Sequence, residues 1–298
     1  MISIIIPTHK RANLLFKALE HIYNQTYKDF EVLVFNAIAE PDETDAIREK
    51  FPQVIYIKDD KIQGANAKHK EGMRRAKGEF VYMPDDDDYL TDNRFLEKAV
   101  KIMEENPKVA FVSGQCHISY EYDDESKNRL EKHDIGLKGY IDGREYLQHF
   151  CETMGKPVST ISTLYRKVAL KDKSGGEMYF MGDNSLYMQA LLWGDAYILD
   201  EYVAVYRVGA GSMTSAITCK TMIDTMIQKE MIYNDAVGYI ENPNAAWTNQ
   251  FIGSYLFCPK KNRNDYMTLI KWGFKHSHGY PKMVLFLTKE YIKALFRK

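Results

Sequence analysis

Four consecutive carboxylates, Asp85 to Asp88, follow the short apolar run Val81 to Pro84. Adjacent like charges repel, so the arrangement needs either full solvation or a cation. A cluster of oxygens with no Cys or His nearby suits a hard divalent ion, Mg2+ or Mn2+. In extended backbone, residues i and i+2 point the same way, so Asp85 and Asp87 can share one ligand. Asp88 fits a cap or a turn. Acidic runs are more often solvated turns; what favours a ligand here is the position of the run, at the carboxyl end of an apolar segment. A further acid, Asp183, follows Gly182 at the start of "GDNSLYMQALLW". It can cap that helix or take a proton as a general base, and the two roles are compatible.

These residues need a frame. Short runs rich in Ile, Val and Phe recur at 2–6, 30–35, 54–57, 79–83 and 109–113. They read as buried strands. Between them, segments such as "KRANLLFKALEHIYNQ" place Leu15, Leu19 and Ile22 on one helical face, and 42–50, 65–77 and 93–105 behave alike. Alternating βα units predict a mostly parallel sheet flanked by helices. Ligands bind such sheets at the carboxyl ends of the strands, which is where the aspartates stand. From about 116 to 210 the texture changes: "CHISYEY", "PVSTISTLY", "AYILD" and "VAVYRV" read as strands or extended chain, and "REYLQHF" and 183–194 as helices, with Trp193 in the core of the latter. Beyond 216 the chain reads as helices at 221–238, 244–257, 263–276 and 282–297.

Taken together, "SIIIPTHKR", "GMRRAKGEFVYMPDDDDYL" and "FMGDNSLYMQALLWGDAYILDEYVAVYRV" resemble the nucleotide-sugar glycosyltransferases of family 2, which have the GT-A fold. The resemblance runs to about residue 215. It implies a unit 1–215, with a nucleotide-sugar half (1–115) and an acceptor half (116–215), followed by a helical extension, 216–298. It implies that Pro7 and Thr8, with Arg11 nearby, line the nucleotide pocket. Asp85 would face the ribose or the base-proximal side and share the metal, Asp87 would bind Mn2+ or Mg2+ on the diphosphate with Asp86 between them, and Asp183 would be the catalytic base. Arg11 could instead pair with a surface acid. The implied activity is inverting transfer of a sugar from a nucleotide donor, by the same resemblance a UDP-sugar, to a hydroxyl of a glycan or lipid-linked acceptor in surface polysaccharide synthesis.

The chain departs from the family pattern in three places. Asn36 stands where an Asp usually contacts uracil, although an amide can still bond a pyrimidine edge. Lys68, His69 and Lys70 replace Ala-Arg-Asn, either to reach phosphate or as idle helix surface. No His follows Tyr206-Arg207, so Arg207 or loop backbone is left to serve the diphosphate. The acceptor pocket is expected from 115–165, with His117, Tyr120, Ser159, Thr160 and Ser162, and from the loop 209–215. A nucleotidyltransferase making sugar nucleotides is the main alternative, but "PTHKRANLL" lacks the Gly-rich phosphate loop it usually needs. A carbohydrate-binding protein on a decayed transferase domain is the other, opposed by the intact Asp85, Asp87 and Asp183.

Composition narrows the partners. The 298 residues carry a net charge of −1, which argues against nucleic acid. The charge is uneven: from Pro259 onward ten Lys or Arg face only Asp265 and Glu290, a net of +8 that leaves −9 for the rest. In "PKMVLFLTKEYIKALFRK" a helix would gather Lys282, Lys289, Lys293 and Arg297 into one arc beside a wide apolar face. That pattern suits either docking on the protein's own core or lying on an anionic membrane. The four cysteines are far apart in sequence and form no metal-ligand spacing. With no secretory signal at "MISIIIP", the expected location is the cytoplasm, peripheral on the inner face of the membrane if the tail binds there.

Overall fold

The computed structural model describes residues 1–9, 11–36, 44–59, 61–62, 64–122, 124–150, 152–171, 182–209, 217–260 and 262–296. In chain order the elements are β1 (Ile2–Thr8), α1 (Ala12–Tyr23), β2 (Phe30–Asn36), α2 (Thr44–Lys50), β3 (Val54–Lys58), α3 (Ala65–Arg75), β4 (Phe80–Tyr82), β5 (Tyr89–Leu90), α4 (Phe95–Glu105) and β6 (Val109–Tyr120). They continue with β7 (Arg129–His133), β8 (Gly139–Ile141), α5 (Gly143–His149), β9 (Thr163–Arg166), α6 (Asp183–Trp193), β10 (Asp195–Val208), α7 (Cys219–Asp235), α8 (Pro243–Phe257), α9 (Arg263–Lys275) and α10 (Pro281–Leu295). The main sheet runs β3-β2-β1-β4-β9-β6-β10-β5, with β7 on β6 and β8 on β10. Strands β1 to β4 are mutually parallel, as are β6 and β10, while β9 is antiparallel to both its neighbours.

Every residue of β1 is buried, because helices cover both faces of the sheet and leave no side for polar alternation. The one hydroxyl inside it, Ser3, donates to Glu31 at 2.6 Å and accepts from the Gly78 N–H at 2.8 Å, so its burial leaves nothing unpaired. Strand order creates the site. The chain steps outward from β1 to β2 and β3, then returns to add β4 on the other side of β1. The reversal is a topological switch point, where α/β sheets open a crevice at their carboxyl edge. Register decides what lines it. Thr8 is level with Asn36, and Ile4 with Tyr82, so the chain past β4 brings Asp86 level with Thr8.

Helix α3 lies close on β1. A Cβ at Gly72 would stand 2.3 Å from Cγ2 of Ile5. Gly72→Ala is therefore expected to lower stability by about 1–3 kcal/mol through overpacking, despite alanine's better helix propensity. Thermal unfolding checks this. Ile5→Ala in the same chain should recover part of the loss, and a melting temperature unchanged or raised in Gly72→Ala would rule the close approach out.

Three local readings are corrected. The run at 109–113 and residues 116–120 of the next are one strand, β6, which passes through position 115, and "AYILD" and "VAVYRV" are one 14-residue strand, β10, kept continuous by irregular register around Tyr202. Trp193 is 41% exposed and is not core. The cysteines are distant in sequence, yet packing of α7 against the end of α8 brings the Cys219 and Cys258 sulfurs to 3.6 Å; Cys151 lies outside the described residues.

The last four helices join the core of the sheet. Met226 and Tyr233 of α7, Trp247 and Phe251 of α8, Leu269 of α9 and Leu287 of α10 belong to the same buried cluster as Ile5, Phe111 and Leu191. Pro243 and Pro281 open α8 and α10, where a missing N–H costs nothing. The expected junction at 215 falls outside the described residues.

Candidate active site

After β4 the chain makes a turn at Asp86–Asp87 before entering β5. The turn separates the four carboxylates. Asp85, Asp87 and Asp88 each bring an oxygen within 4.8 Å of the others. Asp86 points elsewhere: it is buried, accepts from Thr8 Oγ1 at 2.6 Å, and meets Arg11 Nη1 at 3.3 Å. The same Arg11 nitrogen donates to Asp87 at 2.8 Å. Arg11 thus pairs with two acids of the run, Asp86 and Asp87. Pro7 and Thr8 sit at the end of β1 beside it, both buried.

Asp88 is not a cap. Helix α4 starts seven residues later without a side-chain cap. The carboxylate is fully buried, accepts from the Arg207 backbone N–H at 2.8 Å and from Ser159 Oγ at 3.3 Å, and so fastens the end of β10 to the acidic turn. The Arg207 guanidinium forms a bidentate pair with Glu121 and also feels the Asp87 charge, while its backbone N–H holds Asp88.

Asp183 is the first residue of α6. It does not cap the helix: Gly182 is the N-cap, at φ 135°, and makes no side-chain bond. Asp183 stands close enough to Asp85 for its charge to raise the Asp85 pKa. One turn along, Tyr187 donates to the Ser159 carbonyl at 2.9 Å, and Ser159 holds Asp88. The two acidic blocks, about a hundred residues apart in sequence, are linked through this chain of hydrogen bonds.

The electrostatics follow from crowding. Burial, then Asp183, Asp87 and Asp86, push the Asp85 carboxyl up to about 8. Burial also raises Asp86, opposed by its Thr8 hydrogen bond and by Arg11. Asp88 is raised well above the carboxylate range by burial and Asp85; burial also raises Asp183, against the pull of Lys156. Unaided, such a group holds protons; a divalent cation would offset the repulsion and keep the carboxylates ionised. An all-oxygen donor set of this kind fits Mg2+ or Mn2+.

Of the two readings of Lys68, idle helix surface is excluded: the side chain lies beside the site. It is 4% exposed, and its ammonium donates to the Thr8 carbonyl at 2.7 Å, near Asp86. His69 is buried too, and burial with the Lys68 charge pushes its pKa down to about 4, so it is neutral at physiological pH. Neither is helix surface; of the three substituted residues only Lys70 is exposed. The readable signal was Gly72. Positions 68 and 69 share its helix face, and a glycine that tight marks the face lying on the sheet.

Asn36 ends β2. Its amide nitrogen donates to the Tyr56 hydroxyl at 2.8 Å, while its carbonyl oxygen is buried with no partner among the described residues. Of the expected acceptor residues, Thr160 bonds the Met83 carbonyl and Ser162 lies 3.2 Å from the Ser113 hydroxyl, both buried. Thr160 thus ties to the chain just before the acidic turn, and Ser162 to β6. His117 packs at a tilt against Tyr202 and Tyr120 carries Arg129 over its ring, both half-exposed. The loop 210–215 lies outside the described residues.

A family model for glycosyl transferase family 2 matches residues 3–194, from β1 through the end of α6. The chain belongs to glycosyltransferase family 2. Among curated family relatives, the GalNAc(5)-diNAcBac-PP-undecaprenol beta-1,3-glucosyltransferase of Campylobacter jejuni is 27% identical over 70% of this chain and 64% of its own length. The glycosyltransferase GlyA of Streptococcus pneumoniae is 25% identical over 76% of this chain and 34% of its own. The chain therefore spans under two thirds of either relative. In solved structures, S. aureus TarS 1-349 superposes with a TM-score of 0.61 at 16% identity, covering 91% of this chain and 80% of that one. The mannosyltransferase PcManGT of Pyrobaculum calidifontis, solved with GDP-Man and Mn2+, gives 0.54 at 16% identity over 99% and 80%. At such identities the likeness establishes the GT-A fold.

Proposed function

We propose that this family 2 chain is a divalent-metal-dependent, inverting glycosyltransferase. It moves a sugar from a UDP donor to a hydroxyl of a glycan or lipid-linked acceptor in surface polysaccharide synthesis. The observation that carries the reading is the convergence of Asp85, Asp87 and Asp88 at the switch point, with Asp183 beside them. A cation held by the three carboxylates would neutralise the diphosphate leaving group. Thr8 and Arg11 hold Asp86, which with Pro7 and Asp85 shapes the wall toward the nucleoside. Asp183 takes the acceptor hydroxyl proton as its oxygen bonds the anomeric carbon and the bond to the diphosphate breaks. One base and one displacement invert that carbon.

The buried acceptor oxygen of Asn36 suits an imide N–H on a base edge, and TarS has been solved with UDP and with UDP-GlcNAc. The Campylobacter relative's name gives it an undecaprenol-linked acceptor. By the same reading residues 1–215 form the transferase unit, 1–115 serving the donor and 116–215 the acceptor, and the reaction occurs in the cytoplasm. A thermal-shift panel of UDP-, GDP-, CMP- and dTDP-sugars, with and without Mn2+, tests this. A UDP-sugar should raise the melting temperature only with metal, by about 2.7 kcal/mol of added stability at a hundred times its Kd, and should release UDP when acceptor is added. Pyrophosphate release from UTP and a sugar 1-phosphate, or no shift with any donor, would overturn the reading.

A further inference from the structure

Helix α10 presents three stripes. Met283, Leu287, Glu290 and Ala294, spaced four, three and four apart, are buried against the neighbouring helices. Contact is tight there: a Cβ at Gly273 of α9 would lie 2.8 Å from Leu287, and Phe286 packs edge-on against Tyr255 and Phe251 of α8. The opposite side of α10 is apolar and open. Leu285, Ile292, Leu295 and Phe296 are 57%, 52%, 42% and 83% exposed. At 100° per residue they share one arc facing away from the docked residues. Alongside runs a third stripe, Lys282, Lys289 and Lys293, all exposed.

A helix that served only to close the core would leave its outward face polar. This one exposes four large apolar side chains beside a row of lysines. Its single acid, Glu290, is turned inward, where it accepts from the Tyr255 hydroxyl at 3.0 Å and from Lys293 at 2.6 Å. No acid of α10 stands on the outward side, although Lys293 pairs with Glu290 and Lys282 lies 4.0 Å from Glu152 at its edge. The Tyr255 contact also sets the last turns of α10 beside the end of α8, where Leu256 and Phe257 are exposed as well. No helix among the described residues is long and apolar enough to cross a membrane.

We propose that the outward face of α10 lies on an anionic lipid surface, with Leu285, Ile292, Leu295 and Phe296 entering the acyl boundary and the lysine stripe meeting the headgroups. The chemistry is that of an interfacial helix: apolar area for insertion, cationic flank for anionic lipid. The inference is independent of the sugar-transfer reading, because lipid binding is measured without donor or acceptor.

Co-sedimentation of the full chain with vesicles tests it. Removing α10 is the wrong experiment, since it would strip the cover from Phe251 and Gly273. The chain should bind vesicles of equimolar phosphatidylcholine and phosphatidylglycerol, bind pure phosphatidylcholine far less, and weaken as salt rises. The triple variant Leu285→Ser, Ile292→Ser, Phe296→Ser should lower partitioning about tenfold or more. Lys289→Gln, which touches no packing, should lower it about fivefold. Wild-type binding that is absent, or equal in the triple variant and in Lys289→Gln, overturns the proposal. So does a dimer that the triple variant turns into monomer while neither sediments, for then the face belongs to a second copy of the chain.

Discussion

Asp87→Ala is expected to abolish metal-dependent donor binding and to lower transfer by about 10³-fold or more. Among the three converging carboxylates, Asp87 is the one whose loss tests the cation without testing the fold. It is half-buried and touches Arg11, which keeps Asp86 as a second partner. Asp88 is different: it holds the Arg207 N–H and Ser159 in a buried joint, so Asp88→Asn would mix lost coordination with lost structure. Two readouts belong together, the melting temperature of the apo chain and the Mn2+-dependent shift with a UDP-sugar. The first should stay within a few degrees of wild type; the second should vanish. Wild-type turnover that persists undiminished in excess chelator would sink the metal assignment.

Asp183→Asn should leave donor binding and stability in place while transfer falls by roughly 10²–10⁴-fold, the usual worth of a positioned base. The geometry makes this a clean substitution. The helix is started by Gly182, not by the Asp183 side chain, and the amide replaces the carboxylate without changing its shape. The fall should appear in kcat with KM for the donor little changed. Transfer near the wild-type rate would mean that another group takes the proton. Asp195 is a poor substitute: it accepts from Gly143 N–H and the Tyr140 hydroxyl beyond the far end of α6, about 16 Å of helix away. Glu177, the other acid near the block, lies outside the described residues.

Much of this frame is legible in the chain. The β-branched runs "ISIII", "FEVLVF" and "VIYI" become strands, and the 3.6-residue spacing between them becomes α1 to α3, because both patterns express backbone geometry over a few residues. The four terminal helices likewise follow their spacing to within two or three residues. Boundaries inside β6 and β10 were not legible. A polar or glycine residue in a strand reads as an end unless the neighbouring strand is known, and Gly114 is accommodated in β6 by its closeness to Val203 of β10.

At the site the limit is sharper. Alternation along an extended chain pairs Asp85 with Asp87, and local composition marks the run as a place for a cation. A turn at Asp86–Asp87 adds Asp88 and sends Asp86 to Thr8, and nothing within the run itself announces a turn. Lys68 looks like helix surface until α3 is laid on β1, and α10 looks like either a core helix or a membrane helix until it is seen to have a docked side and an open one. In sequence terms the fold class, the family and the acidic residues at strand ends were available, since each depends on short-range pattern. Which acids converge, which cations are buried beside them and which face of α10 remains open depend on strand order and register between residues some 75 to 120 positions apart. Those are properties of the whole sheet, settled by how β4 returns beside β1 and how β10 reaches back to β5, and no local window of the chain contains them.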